Sequence, residues 1–219
     1  MKKIQHIAFM LFGALVALTA FSSCSESSDD SENDFDDWQN KNEVYFNNVY
    51  TRAKSAVDKG DSKWKILTNW SINDEAAVPT NRVVVEVLEK GTGTESPIYT
   101  DSVTVFYRGR LIPTVNYTDG LVFDQSYTNS ELNPETSAAT SFVVSGLVDG
   151  FATALQYMHA GDYWRVYIPY QLGYGTVKSG AIPAFSTLVF DIYLHSFTHV
   201  NEGAPAAWHA RQHIDSAEE

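Results

Sequence analysis

Apolar positions recur along this chain with two different periods, and the change of period divides it. An apolar run from Ile7 to Phe21 is interrupted only by Gly13 and Thr19, shorter than the roughly 20 residues of a membrane-spanning helix. Phe46, Val49, Tyr50, Ala53 and Val57 then recur at the spacing of an amphipathic helix, which Gly60 ends. Residues 63–80 hold Trp64, Ile66, Leu67, Trp70 and Ile72 in no clear period, and the pattern assigns them no role. From Asn81 the period becomes two: Val83, Val85 and Val87 alternate with Val84, Glu86 and Leu88 before a turn at Gly91 and Gly93. Val103, Val105 and Tyr107 share one face of the next strand, with Thr104, Phe106 and Arg108 on the other. A third strand is predicted over Ser141 to Val144. Between Gly150 and Gly161 a short helix carries Phe151, Ala154, Leu155 and Met158 on one face. Strands follow at Tyr163 to Ile168 and Thr187 to Ser196. Many strands with one short central helix describe an α+β domain, and the span from 81 to 198 is of ordinary domain size.

What precedes the helix bears on location. Lys2 and Lys3 stand before the apolar run, as in a secretory leader over residues 1–23. The run is followed by Ser22, Ser23 and Cys24, the single cysteine of the chain. One cysteine cannot form an internal disulfide, and this sequence resembles the lipid-attachment site of bacterial lipoproteins. A cleaved secretory signal and an uncleaved anchor are the other readings of the same residues. If Cys24 becomes the first residue, the two leader lysines leave and the formal charge moves from −12 to −14. Nucleic acid is then excluded as a partner, because phosphate binding needs clustered Lys and Arg. Ser25 to Asp37 carries seven acidic and no basic residues, a composition that stays solvated rather than folding alone. Residues 24–37 are therefore expected to be a tether; an acidic stretch there also resembles the surface-export signal of lipoproteins from the Bacteroides group. Residues 38–80 are expected to form a helical N-terminal segment. The helix within it either docks on the following domain or pairs two copies as a homodimer.

Hydrolytic, phosphate-binding and metal motifs are missing: there is no GxSxG, CxxC, HExxH or P-loop. His209 and His213, four apart in the 199–219 tail, make at most half a metal site. No cofactor is implied. What the chain does hold is an ordered series of aromatic-rich motifs. VFYRGR at 105–110, VFDQS at 122–126, FVVSGLVDGF at 142–151, LGYG at 172–175 and AIPAFSTLVFDI at 181–192 follow one another. In this order they resemble the FKBP-type peptidyl-prolyl isomerases, whose fold is a twisted antiparallel sheet wrapped around a short central helix. The resemblance implies a pocket in which Tyr107, Asp124 and Phe190 are catalytic. Phe123, Phe142, Leu147, Val148, Phe151, Tyr174 and Ile182 would bind the substrate, with the Val148 N–H donating to its carbonyl. Phe151 stands where the family usually has a pocket-floor Trp, and residues 112–118 are an insertion expected to lie near the pocket rim. The implied substrate is a proline-containing polypeptide outside the cytoplasm, with the protein held on the outer membrane by its lipid. The alternative is a non-catalytic module or chaperone that binds proline segments in the same pocket.

Overall fold

The computed structural model describes residues 33–73, 78–129 and 131–200. The leader, Cys24, most of the acidic tether, His209 and His213 lie outside the described residues. The first element, α1 (Trp38–Asp58), buries Trp38, Asn42, Phe46, Val49 and Ala53 along one stripe. The stripe thus begins two turns before Phe46 and passes through a polar residue; Val57, expected on it, is exposed. The helix ends where the N–H groups of Lys59 and Gly60 bond back to the carbonyls of Ala56 and Val57, with Gly60 at φ +80°.

Seven strands form one antiparallel sheet: β1 (Trp64–Thr68), β2 (Arg82–Glu89), β3 (Ser102–Arg110), β4 (Val122–Gln125), β5 (Thr140–Val143), β6 (Tyr163–Ile168) and β7 (Leu188–Thr198). Their spatial order is β1, β2, β6, β7, β3, β4, and β5 pairs with the other half of the β3 edge. The α+β expectation holds. Residues 38–80 are not helical throughout, however. The helix stops at Asp58 and β1 joins the sheet edge in register with β2, so the boundary drawn at residue 81 falls inside the folded unit. Trp64 and Ile66 of β1 pack on one face of the sheet and Leu67 on the other, which is why the stretch shows neither a clean alternation nor a helical stripe.

The two faces of the sheet are covered by different helices. On the outer face, Phe46, Val49 and Ala53 of α1 pack with Val84, Tyr167 and Val189. The helix docks its apolar stripe on its own domain. On the inner face, α2 (Asp149–Leu155) packs against Val83, Val85, Val103, Val105, Trp164, Val166 and Ile192. Complete burial of each such side chain contributes roughly 1.5–3 kcal/mol. A Cβ on Gly150 would lie 2.3 Å from Ile168 Cγ2, so α2 reaches β6 only because this position lacks a side chain. The helix is shorter than its sequence period indicates, and Met158 is held by a following turn through bonds to the carbonyls of Ala154 and Leu155. Seven residues make about 10 Å of helix, too little to cover the whole inner face.

Candidate functional site

The inner face is aromatic where α2 covers it least. Tyr107 comes from β3, Phe190 from β7 and Phe151 from the first turn of α2, and all three are buried. Their rings meet edge-on or tilted: Phe151 and Phe190 centroids are 5.0 Å apart, Tyr107 and Phe151 6.2 Å, Tyr107 and Phe190 6.4 Å. Around this floor stand half-buried walls. Phe123 of β4 lies 5.4 Å from Phe190 at 87°, and Phe142 of β5 lies 5.7 Å from Tyr107. Leu147 and Val148, in the turn entering α2, complete the same apolar cluster with buried Ile182. The Val148 carbonyl accepts the first helical bonds from the Phe151 and Ala152 N–H groups.

Gly109 makes the approach of these rings possible. It pairs with Asp124 on one side and Phe190 on the other. A Cβ there would sit 2.5 Å from the Phe190 ring and 2.6 Å from that of Phe123. The motif VFYRGR contains this glycine, yet the sequence reading passed over it. A lone glycine inside a strand is itself a sign of close approach.

The polar component is small. The Tyr107 hydroxyl donates to Asp124 Oδ2 at 2.7 Å, while the backbone of Tyr107 is fixed by Ser126, whose hydroxyl accepts the Tyr107 N–H at 2.9 Å. Burial, reinforced by the Asp124 bond and by the nearby Tyr174, pushes the Tyr107 phenol well above the ordinary tyrosine range, so it remains a hydrogen-bond donor across the neutral range. Asp124 itself is exposed and Tyr174 is 42% exposed. The structure therefore brings all ten pocket residues expected from the sequence to one region. It grades them from a dry floor to a wet rim, and the carboxylate belongs to the rim. The insertion starts in the pocket's own apolar cluster, where Ile112 is buried, and then turns towards the outer face. Its turn closes through a Thr114 N–H to Tyr117 carbonyl bond, and the Asn116 N–H reaches Asp34 Oδ1. Pro113, Thr118 and Asp119 line a cleft with Tyr45, Arg165 and Tyr167, side chains of the outer face.

Residues 93–195 match the family described as FKBP-type peptidyl-prolyl cis-trans isomerase. That segment is an FKBP-type domain. The matched segment contains all ten residues expected to line the pocket, from Tyr107 to Phe190, and leaves α1, β1 and β2 outside it. The chain is similar to the macrophage infectivity potentiator of Trypanosoma cruzi, 36% identical over 134 residues that make up 61% of each protein. It is 40% identical over 109 residues to the FKBP-type 22 kDa peptidyl-prolyl cis-trans isomerase of Escherichia coli, covering 49% of this chain and 46% of that one. Similarity to the outer membrane protein MIP of Legionella longbeachae is 39% over 112 residues, 51% of this chain and 42% of the relative. The crystal structure of FkpA from Escherichia coli aligns at 31% identity with a TM-score of 0.46, over 73% of this chain and 64% of that one. This chain spans about half the length of the curated relatives it matches.

Proposed function

We propose that this protein catalyses the cis–trans isomerisation of Xaa-Pro bonds in polypeptides outside the cytoplasm. The observation that carries the reading is the Tyr107 to Asp124 bond at the edge of a floor built from Phe151 and Phe190. Rotation about an Xaa-Pro amide faces a barrier of roughly 20 kcal/mol and takes tens to hundreds of seconds uncatalysed. A ten-thousandfold acceleration requires about 5.5 kcal/mol of transition-state stabilisation. No bond to a heavy atom forms or breaks. The twisted amide has lost its resonance and much of its charge separation, so an apolar surface favours it over the planar form. Phe151 and Phe190 receive the proline ring, Phe123, Phe142, Leu147, Val148 and Ile182 enclose it, and the Val148 N–H donates to a substrate carbonyl. Asp124, oriented by Tyr107, places its charge beside the twisting carbonyl carbon, and Tyr174 supplies a second hydroxyl from the rim. The exposure of Asp124 supports one other reading, a proline-segment binder or chaperone, since a hydrated carboxylate acts more weakly on the amide.

The same proposal places the protein on a membrane. Cys24 carries the lipid, residues 1–23 are removed as a leader, residues 24–37 act as a solvated tether, and the anchor holds the domain at the outer membrane. Among the described residues no helix is long and apolar enough to cross a membrane. The printed name of the Legionella longbeachae relative, an outer membrane protein, supports that location. The catalytic reading is tested by following cis–trans exchange in Xaa-Pro peptides by NMR. Exchange accelerated by the protein is expected, and proline-peptide binding without acceleration leaves the binder. Replacing Cys24→Ser is expected to move the protein from the membrane to the soluble fraction; unchanged membrane association contradicts the lipid anchor.

A further inference from the structure

The loop between Gly173 and Leu188 brings two pocket residues, Tyr174 and Ile182, to the site. It is held by residues of α1. Ile182 closes a tight turn with Ser179 through two backbone bonds of 2.9 Å, and the Phe185 N–H bonds to the Gly175 carbonyl. Phe185 adopts φ 63°, a left-handed conformation that a bulky side chain holds only when its surroundings over-determine it. The two residues after it, Ser186 and Thr187, are buried and bonded to α1. Trp38 Nε1 donates to Ser186 Oγ at 2.9 Å, and Ser186 Oγ in turn donates to the Pro183 carbonyl at 2.7 Å. This relay ends beside Ile182. Asn42 Oδ1 accepts the Thr187 N–H at 2.7 Å, and the Asn42 carbonyl accepts from the Thr187 hydroxyl. Asn42 Nδ2 donates to the Trp38 carbonyl at 2.7 Å, which fixes the amide. The next residue of α1, Glu43, accepts from the hydroxyl of Tyr170, whose ring packs edge-on against Phe185.

We propose that α1 is a latch for the pocket wall and that Trp38 and Asn42 are positioning residues for the isomerase site, setting how tightly a proline segment is held. Burial of an asparagine in an otherwise apolar stripe is unfavourable unless its amide is paired. An aliphatic side chain would dock the helix as well, so the polar choice is explained by its bonds to Thr187. Both residues lie outside the segment that matches the family, so the latch reaches the pocket wall from a part of the chain that precedes the FKBP-type domain. The inference rests on the isomerase reading of the inner face for its kinetic consequence, whereas its structural part can be tested without it.

The experiment uses the full-length protein in mild detergent with Asn42→Ala, Trp38→Phe and Ser186→Ala. It reads kcat and KM on an Xaa-Pro peptide series together with amide hydrogen exchange. Loss of the Asn42 bonds is expected to raise KM about fivefold, the factor carried by one lost hydrogen bond, with kcat within about twofold. The Ile182 and Phe185 amides should exchange about tenfold faster while those of β6 and β7 are unchanged. Trp38→Phe removes only the first bond of the relay, whereas Ser186→Ala removes both. Ser186→Ala should raise KM at least as much as Trp38→Phe, and the double substitution no more than Ser186→Ala alone. Unchanged KM and unchanged loop exchange in folded Asn42→Ala protein overturns the latch. If the unaltered protein accelerates no peptide, the isomerase reading fails and loop exchange decides the latch alone: faster exchange supports it, and unchanged exchange refutes it.

Discussion

The two faces of the sheet are both rich in aromatic residues, yet the residues proposed to act on substrate gather on the inner one. Tyr45, Phe46, Trp64 and Tyr167 gather on the outer face beneath a helix of 21 residues. Tyr107, Phe123, Phe142, Phe151 and Phe190 gather on the inner face beneath a helix of seven. Alternation along one strand serves both: in β7, Phe190 and Ile192 point inward, while Val189 and Asp191 point outward. The outer face also satisfies its charges internally. Asp191 is buried and accepts two bonds from Arg165, at 2.6 and 3.0 Å, and one from Arg110. The inner face leaves its one carboxylate at the rim, paired with a phenol. Aromatic content does not make a pocket by itself: both clusters keep partly buried rings, Tyr45 and Trp64 outside and Phe123 and Phe142 inside, and what sets the inner one apart is an apolar floor with a phenol-paired carboxylate at its rim.

Substitutions on each face separate stability from function. The largest effect is expected for Phe190→Ala, which removes a ring that touches Tyr107, Phe123 and Phe151. Denaturant unfolding should show a loss of about 3–5 kcal/mol, and isomerisation should fall at least tenfold where the protein remains folded. Tyr167→Ala, buried against Trp64 and Tyr45, should cost about 3 kcal/mol and leave kcat/KM within about twofold. A tenfold fall in kcat/KM from that outer-face change would erase the distinction between the faces. Gly109→Ala pushes a methyl group against Phe123 and Phe190. It is expected to destabilise by about 1–3 kcal/mol and to reduce kcat/KM out of proportion to its thermal shift.

The smallest effect is expected from alkaline pH, and it touches both faces. Burial is the main reason the phenols of Tyr107 inside, and of Tyr45 and Tyr167 outside, are raised above the usual 10.0, with Tyr167 pushed up to about 12. Groups raised in the folded state contribute stability that is full below pH 10 and is lost as pH climbs through the raised values. The unfolding midpoint should therefore be flat with respect to these groups below pH 10 and fall towards pH 12. Tyr167→Phe should remove one outer-face contribution to that fall. A fall unaltered in that variant would show that Tyr167 ionisation contributes little.

How much of this was legible in the sequence depended on how each element is covered. Tyr163 to Ile168 was placed to the residue, because β-branched and aromatic residues run there between a glycine turn and a proline. The edge strand β1 was not, since it packs apolar side chains on both faces. The place of Asn42 in the buried stripe of α1 was not legible, because the reason for it is found only 145 residues later, at Thr187. The pocket residues were found through ordered motifs, whereas the exposure of Asp124 and the role of Gly109 depend on the spacing of neighbouring strands. The turn of the insertion from Ile112 towards the outer face was not legible, because chain length ahead of Phe123 does not reveal the face towards which a loop turns.

The most direct test of the account is the catalysed exchange rate of an Xaa-Pro peptide, measured side by side for the unaltered protein, Asp124→Ala and Tyr167→Ala. The account predicts acceleration by the unaltered protein and a loss of about tenfold in Asp124→Ala, with unfolding stability changed by no more than about 1 kcal/mol. Tyr167→Ala should keep near-full exchange despite its lower stability. Acceleration undiminished by Asp124→Ala, or absent in all three folded proteins, would contradict the assignment of catalysis to the open inner face.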